Sequence, residues 1–203
     1  MVERQVVARG VSDPRVLAAL RALPRERFAP ERCRSLAYQD RPLPIGAGQT
    51  ISQPYIVAVM TELLRPEPDD VVLEVGTGSG YQAALLARLV KQVYTIEILP
   101  ELAQAARRAL RLEGCANVEV IEGDGFQGLP EHAPFDGIVV TAAPERVPPP
   151  LLEQLAPGAR LVIPVGGFEQ RLEVYERTSE GVEQQALFEV RFVPMTGAAS
   201  SAD

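Results

Sequence analysis

At 203 residues, with 46% hydrophobic and 23% charged side chains, the chain has the length and composition of one α/β domain with a substantial core. Its formal net charge of −7 argues against a nucleic-acid partner, which requires a basic face. No apolar run approaches the roughly 18–20 residues of a membrane span, and the charged N-terminus lacks the apolar centre of a signal peptide. We therefore expect a cytoplasmic protein that binds neither nucleic acid nor membrane.

The first 40 residues are predicted to be helical. Asp13 can cap a helix that has Pro14 at its first position, and apolar residues follow at helical spacing. Residues 40–54 are predicted to form a loop, because prolines and glycines are frequent there. A further helix is predicted from Pro54 to Leu64, with Ser52 as a candidate N-cap.

From Val71 onward, predicted strands and helices alternate. Strands fall near 71–75, 92–97, 118–122 and 136–141, and helices near 80–90, 100–113 and 149–155. This alternation predicts a doubly wound, mostly parallel α/β sheet that helices cover on both faces. Predicted strands at 160–165, 170–177 and 184–193 have no helices between them, so we expect them to add an antiparallel edge.

A glycine-rich turn follows the first strand of this sheet, in the run Glu74-Val-Gly-Thr-Gly-Ser-Gly80. Glycines at alternate positions let the backbone turn tightly and let a ligand approach closely. The dinucleotide fingerprint G-x-G-x-x-G needs its third glycine one position later, where this chain has Tyr81. The spacing therefore favours S-adenosylmethionine over a nicotinamide cofactor.

Two acidic residues stand at the ends of the next two strands. Glu97 follows Gly80 by 17 residues, which suits a carboxylate that binds ribose hydroxyls; a loop or helix-capping glutamate is the alternative. Asp124, in the run Gly123-Asp-Gly125, could reach an adenine amino group. An Asp-Gly pair is also common in ordinary turns, and that reading stays open.

Few residues suggest a metal or a nucleophilic catalytic group. The two cysteines, Cys33 and Cys115, are far apart, and a cytosolic disulfide is not expected. The one histidine, His132, lies in a proline-flanked loop and is expected at the surface. We expect no metal cofactor.

Several runs together resemble one enzyme family. The run from Asp40 to Val57, DRPLPIGAGQTISQPYIV, resembles the signature of protein-L-isoaspartate O-methyltransferases. Further resembling stretches are 73–80, 123–125, 133–144, 160–166 and 191–195, the last of which resembles the closing strand of the family. The resemblance runs from about Arg4 to Thr196. The glycine-rich turn is common to class I methyltransferases, whereas the run Gln49–Pro54 is far more specific.

This resemblance implies a single class I methyltransferase domain with a Rossmann-like core. It comprises an N-terminal helical and substrate-loop segment (1–65), the core (66–196) and a flexible tail (197–203). The reaction implied is methyl transfer from S-adenosylmethionine to the free α-carboxylate of an L-isoaspartyl residue in a damaged peptide, leaving S-adenosylhomocysteine. The ester then collapses to a succinimide, which begins repair. The family also implies a rearranged order of its last two strands, and we expect a monomer.

The resemblance also implies particular site residues. Ser52 is the catalytic residue, and the substrate contacts are Ile51, Ser52 and Val193. The residues implied for the cofactor are Gln49, Thr50, Glu74, Gly76, Gly78, Glu97, Ile98, Asp124, Gly125 and Thr196. One departure is Ala47, where bacterial members often carry histidine, and it puts in doubt any role for a histidine there.

The chemistry is consistent with this assignment. An α-carboxylate of pKa about 3.5 is ionised at neutral pH and needs no strong general base. A hydroxyl such as that of Ser52 could orient it, or could simply cap the following helix.

Three other functions are the alternatives. A metal-dependent catechol methyltransferase would need more carboxylates near the site, and an amino-methyltransferase for DNA would need Asn or Asp where Thr141–Pro144 stands. A non-catalytic domain that binds S-adenosylmethionine is the remaining alternative.

Overall fold

The computed structural model describes residues 1–200, with side chains through residue 198, and it begins with helical turns. One π-helical turn (Val2–Val6) and three 3-10 segments (Val7–Arg9, Arg25–Phe28 and Glu31–Leu36) surround helix α1 (Pro14–Ala22). The predicted cap is confirmed, because the carboxylate of Asp13 accepts hydrogen bonds from the backbone N–H groups of Arg15 and Val16.

A two-stranded antiparallel hairpin replaces the loop predicted for residues 40–54. Strand β1 (Leu43–Gly46) pairs with β2 (Gln49–Ile51), so that Leu43 faces Ile51 and both side chains are buried. The prediction of a loop was wrong because prolines are tolerated in a short strand that has a free edge. Ala47 lies in the turn with φ of 50° and is exposed.

Helix α2 (Pro54–Leu64) has the predicted bounds but not the predicted cap. Its N-cap residue is Gln53, whose side chain makes no capping hydrogen bond to the helix. Instead, the carboxylate of Asp40 accepts a hydrogen bond from the backbone N–H of Tyr55 at 3.1 Å. The prediction that Ser52 caps this helix was therefore wrong. Its C-cap residue, Arg65, has left-handed backbone angles and stands directly before Pro66.

The central sheet has seven strands and follows the predicted alternation. Its strands are β3 (Val71–Val75), β4 (Gln92–Glu97), β5 (Val118–Glu122), β6 (Phe135–Val140), β7 (Leu155–Val165), β8 (Gln170–Thr178) and β9 (Gly181–Val190). The connecting helices are α3 (Tyr81–Leu86), α4 (Pro100–Leu112) and α5 (Pro149–Glu153). Two further 3-10 turns, Gly125–Gln127 and Pro130–His132, precede β6.

The strand order is β5-β4-β3-β6-β7-β8-β9. Strands β3 to β7 pair in parallel, and β8 and β9 are antiparallel, as predicted. The chain leaves β3 toward β4 on one side and later returns to β6 on the other, so the switch in direction lies at the carboxyl end of β3. Ligands of open α/β sheets bind in the crevice at such a point.

Two hydrophobic clusters cover the two faces of the sheet. Val72 belongs to the cluster that includes α1, α2 and α3, whereas Leu73 and Val75 belong to the cluster on the opposite face. Because side chains alternate along a strand, Glu74 lies on the same face as Val72. The N-terminal segment thus packs on the face of the sheet that carries Glu74. The division of the chain at residue 65 stays a prediction.

The segment after β9 is extended, but it is not the predicted closing strand. It makes one isolated parallel bridge, in which the N–H of Ala143 donates to Val193 and the N–H of Met195 donates to Ala143. Gly197–Ser200 forms a single 3-10 turn. Residues 201–203 lie outside the described residues, so the expected flexible tail stays a prediction.

None of the helices in residues 1–200 is both long enough and apolar enough to cross a bilayer. The longest of them is α4, whose apolar side chains lie on one face that packs against β4 and β5.

Candidate active site

The glycine-rich turn after β3 is fastened to both neighbouring strands. The N–H groups of Gly76 and Thr77 donate to the carbonyl of Ile96 in β4, at 2.9 and 3.1 Å. From the other side, the hydroxyl of Thr141, just after β6, donates to the carbonyl of Gly76 at 2.6 Å. Gly76 has φ of 96°, and a Cβ there would collide with the Thr141 hydroxyl, so only glycine fits.

Glu97 stands at the carboxyl end of β4, directly beside this turn. Its carboxylate is almost fully buried and accepts hydrogen bonds from the backbone N–H groups of Gly78 at 2.8 Å and Leu99 at 3.0 Å. Each carboxylate oxygen has a second lone pair, so the group can still accept hydrogen bonds from a ligand. The position is the one that the sequence predicts for ribose recognition.

A narrow cleft, here called the turn cleft, opens at the carboxyl ends of β3, β4 and β6. It brings together all the residues predicted to hold the cofactor except Glu74 and Asp124. Its walls include Gln49, Thr50, Gly76, Gly78, Glu97, Ile98, Gly125, Thr141, Val193 and Thr196. Because Gln49 and Thr50 come from the hairpin and Thr196 from the C-terminal segment, three distant parts of the sequence form the cleft.

Glu74 lines an adjoining small pocket beneath the turn instead. That pocket also contains Thr50, Ser52 and Gly76. The carboxyl group is fully buried: Oε2 accepts from the hydroxyl of Thr95 at 2.5 Å, and Oε1 has no partner among the described residues. Burial raises the pKa of Glu74 to about 8, and the nearby charge of Glu97 adds to the rise.

Asp124 caps its own turn and holds the C-terminal segment. Its carboxylate accepts hydrogen bonds from the N–H of Phe126 at 3.0 Å and from the N–H of Ala198 at 2.6 Å. The neighbouring Gly125 lines the turn cleft, but Asp124 does not. The turn interpretation of this Asp-Gly pair is thus part of its role, and contact with an adenine group stays a prediction.

Ser52 lies between β2 and α2, at the junction of the small pocket and a wider cleft. It is half-buried, and its hydroxyl has no hydrogen-bonding partner among the described residues. Ile51 is buried beneath it and also lines the small pocket. Ser52 is flanked by β2 and α2, which fix its backbone, and its hydroxyl has no hydrogen-bonding partner in the part of the chain that the structure describes. The hydroxyl is therefore available to a ligand.

Asp40 fixes the segment that carries Ser52. One carboxylate oxygen accepts from the side-chain amide of Gln53 at 2.7 Å and from the guanidinium of Arg9 at 2.9 Å. The other oxygen accepts from the N–H of Tyr55. The guanidinium of Arg9 in turn lies 3.4 Å above the ring of Tyr55. Asp40 therefore joins the N-terminal helical segment, through Arg9, to the residues that directly follow Ser52.

The wide cleft has a volume of about 650 Å³, within the range of ligand-binding clefts. Its walls come from the start of α2, the turn between β7 and β8, and the end of β9 with the segment that follows. They include Ser52, Gln53, Tyr55, Phe168, Phe188, Val190, Phe192 and Val193. Thr50, Thr141 and Val193 line both this cleft and the turn cleft, so ligands in the two clefts would meet there.

Sequence reasoning missed Thr141, Asp40 and Arg9. Thr141 could have been found, since it is the last residue of the fourth predicted strand (136–141) and so lies at the carboxyl edge of the sheet. Asp40 and Arg9 gave no comparable signal, because their contacts with Gln53 and Tyr55 span 13 to 46 residues of sequence and depend on the tertiary fold.

No group of three or more His, Cys, Asp or Glu side chains that could hold a metal ion occurs within residues 1–198. His132 is half-buried and stacks on Tyr94, with ring centroids 4.0 Å apart. Cys33 and Cys115 are both free thiols. None of these side chains lines the clefts described above.

Comparison with known proteins gives a consistent result. Residues 1–200 match the model of the protein-L-isoaspartate(D-aspartate) O-methyltransferase family. A protein-L-isoaspartate O-methyltransferase of Picosynechococcus sp. is 56% identical over 197 residues, which cover 97% of this chain and 89% of that protein. A relative of the same name from Gloeobacter violaceus is 57% identical over 198 residues, which cover 97% of each chain.

Solved structures extend the likeness to the fold. A protein-L-isoaspartate O-methyltransferase superposes with a TM-score of 0.87 at 29% identity, covering 97% of this chain and 66% of that chain. A Plasmodium falciparum protein in complex with S-adenosyl-L-homocysteine superposes with a TM-score of 0.82 at 24% identity, covering 94% of each chain. The second likeness concerns the fold alone.

Proposed function

The chain belongs to the protein-L-isoaspartate O-methyltransferase family, and we propose that its turn cleft binds S-adenosylmethionine while Ser52 orients the substrate carboxylate in the wide cleft. The family assignment makes it a methyltransferase that uses S-adenosylmethionine to methylate isoaspartyl residues in damaged proteins. The observation that carries the proposal is that the two clefts share Thr50, Thr141 and Val193, since a donor in one cleft would then face an acceptor in the other.

The residues of the turn cleft suit a nucleoside with an amino-acid side chain. Glu97 has free acceptor capacity for ribose hydroxyls, and Ile98 is an exposed apolar residue beside it. The unpartnered Oε1 of Glu74 would gain a partner from an ammonium group in the small pocket. Gln49, Thr50, Gly76, Gly78, Gly125 and Thr196 would complete the contacts, with Asp124 at the margin.

S-adenosylmethionine, when bound, supplies a methyl group on a positively charged sulfonium. The acceptor α-carboxylate is already ionised at neutral pH, so no residue of this chain has to remove a proton. Ser52 would donate a hydrogen bond to one carboxylate oxygen and so aim the other, while Ile51 and Val193 flank the substrate and exclude water. The methyl ester formed then closes to a succinimide without further help from the protein.

Selectivity for isoaspartate must come from geometry. Isoaspartyl and aspartyl residues carry the same charge, but in isoaspartate the main chain runs through the side-chain carbonyl and leaves the α-carboxylate free. We expect residues 46–53 and the segment 192–194 to flank the bound peptide. Thr50, Ser52, Phe192 and Val193 line the wide cleft, and both segments include extended backbone to which a peptide could pair. We expect many isoaspartyl sequences to be methylated and their aspartyl counterparts hardly at all.

The test is transfer of labelled methyl groups to matched peptides that differ only in this linkage. Selective labelling of the isoaspartyl member of each pair is expected. Comparable rates on both linkages would contradict the proposal and favour a general carboxyl or small-molecule methyltransferase.

Three further expectations accompany the proposal. The reaction needs no metal, because an ionised carboxylate requires no Lewis acid to act as a nucleophile; activity lost in a chelator and restored by magnesium would show otherwise. The protein is expected to act as a monomer in the cytoplasm. It is also expected not to bind nucleic acid, which its charge of −7 disfavours.

A further inference from the structure

Phe168 is the most exposed large apolar side chain of the described residues, at 91% of its accessible surface. It lies in the turn between β7 and β8 and lines the same wide cleft as Ser52. The other exposed large apolar side chains, Val7, Tyr38, Ile98, Leu112 and Val182, do not line that cleft. An exposed aromatic ring at a cleft contributes favourable free energy of binding only when a ligand buries its apolar surface.

The turn that carries Phe168 is held from both sides, so its exposure is a built feature. The N–H of Gly166 donates to the carbonyl of Pro144 at 2.9 Å. Gly166 has φ of 126°, and a Cβ there would overlap the carbonyl of Glu169, so the tight turn requires glycine. The ring therefore projects from a fixed backbone position.

Gln170 completes this frame. It is almost fully buried, and its amide nitrogen donates to the carbonyls of Gly167 at 3.3 Å and Phe192 at 3.2 Å. Its amide oxygen accepts from the N–H of Phe192 at 2.6 Å. One side chain thus ties the Phe168 turn to the segment that follows the neighbouring strand β9, and both line the wide cleft.

The end of β9 and the segment after it add further apolar side chains to the cleft. Phe188, Val190 and Phe192 line it and are only half-buried. Two cations also line the cleft, Arg9, which is paired with Asp40 at 2.9 Å, and Arg191. Together with Phe168, the apolar side chains offer contact that suits one apolar side chain of an extended peptide.

We propose, on the basis of the function proposed above, that Phe168 is a specificity-determining residue. It contacts an apolar or aromatic side chain within two positions of the isoaspartyl residue and so selects peptides that carry one there. Phe168 acts on peptide binding and leaves the methyl-transfer step itself unchanged, because the reacting groups meet near Ser52.

The experiment uses an isoaspartyl host peptide with serine at the two positions on each side, and a set in which phenylalanine replaces each serine in turn. In the wild-type protein, phenylalanine in at least one position should lower KM by roughly tenfold, as expected for one buried apolar group. Phe168→Ala should abolish that gain, so that KM for the phenylalanine peptides no longer falls below KM for the all-serine peptide, while kcat for the phenylalanine peptides is kept. Phe168→Leu should retain part of the gain.

Leu112→Ala is the matched control, because Leu112 is 86% exposed on α4 and lines neither the turn cleft nor the wide cleft. It should leave the wild-type pattern unchanged. The proposal is overturned if phenylalanine brings no gain at any position, or if Phe168→Ala retains the gain. Failure of the proposed function has a different signature, since the wild-type protein would then fail to prefer the all-serine isoaspartyl peptide over its aspartyl twin.

Discussion

The carboxylate of Glu97 accepts a 2.8 Å hydrogen bond from the backbone N–H of Gly78, and this bond joins the end of β4 to the glycine-rich turn after β3. A second bond, from the N–H of Leu99, fixes the other carboxylate oxygen. The group that we expect to bind the ribose is therefore held in place by backbone before any ligand arrives, which lowers the entropic cost of binding.

Replacing Glu97 by alanine should weaken S-adenosylmethionine binding by about 1–3 kcal/mol, the cost of losing a charge-assisted hydrogen bond. Calorimetric titration measures the loss, and thermal unfolding checks that the turn survives. Glu122→Ala is the control, because Glu122 stands at the same end of the neighbouring strand β5 but pairs with Arg107. Unchanged affinity in folded Glu97→Ala would rule out the role.

Replacing Ser52 by alanine should lower kcat by about 10²-fold, because the acceptor carboxylate loses its orientation. The affinity for S-adenosylmethionine and the unfolding temperature should stay unchanged, since Ser52 caps no helix. Steady-state assays with an isoaspartyl peptide test this, with the exposed Ser35→Ala as control. Full activity of Ser52→Ala would show that the hydroxyl has no part in catalysis.

Replacing Asp40 by alanine should lower kcat while leaving cofactor affinity intact, because Asp40 anchors Gln53 and Tyr55 on the far side of Ser52. It should also cost about 1 kcal/mol of stability through loss of the bond to the first turn of α2. Asp136→Ala is a useful comparison: it removes a similar bond to the N–H of Val71, far from Ser52. Equal effects of the two variants on kcat would contradict a positioning role.

Stability in the absence of cofactor should decline as pH rises from about 4.3 to about 8. The pKa of Glu74 is raised to about 8 by burial, so the folded protein keeps a proton that the unfolded chain releases above about pH 4.3. The free energy of unfolding should thus fall by a few kcal/mol across this window. Urea titrations from pH 5 to 9 should show the decline in the wild type but much less of it in Glu74→Gln.

Glu119→Gln, a change at an exposed position of β5, should leave that pH dependence as it is in the wild type. An equal slope in wild type and Glu74→Gln would show that Glu74 ionises in the folded protein as it does in the unfolded chain.

The parallel core was predictable from sequence because its signals are local. The strands β3, β4 and β5 are short segments rich in apolar residues that end at or next to a glycine or an acidic residue, and each helix from α3 to α5 begins near a proline or a glycine. Since parallel strands end at one edge of the sheet, the positions of Gly76, Glu97 and Gly125 in sequence were enough to place them together.

The hairpin, the cap of α2 and the closing segment were not predictable in this way. Pro42 and Pro44 made the sequence of β1 resemble a loop. The hydrogen bond from the N–H of Tyr55 to the carboxylate of Asp40 joins residues that are 15 positions apart in sequence. The bridge between Ala143 and Pro194 depends on two segments that meet only after the sheet has formed.

The sequence by itself determined the fold class, the family and the types of residue at the site, because periodicity, turn residues and motif spacing are properties of the local sequence. Only the tertiary structure decided which of those side chains are free to act. Ser52 is unpaired because Asp40 caps the helix in its place, and Glu74 is expected to hold a proton because the N-terminal helices bury it. Hydrogen-bond partners and desolvation depend on distances between remote residues, and those distances exist only in the folded chain.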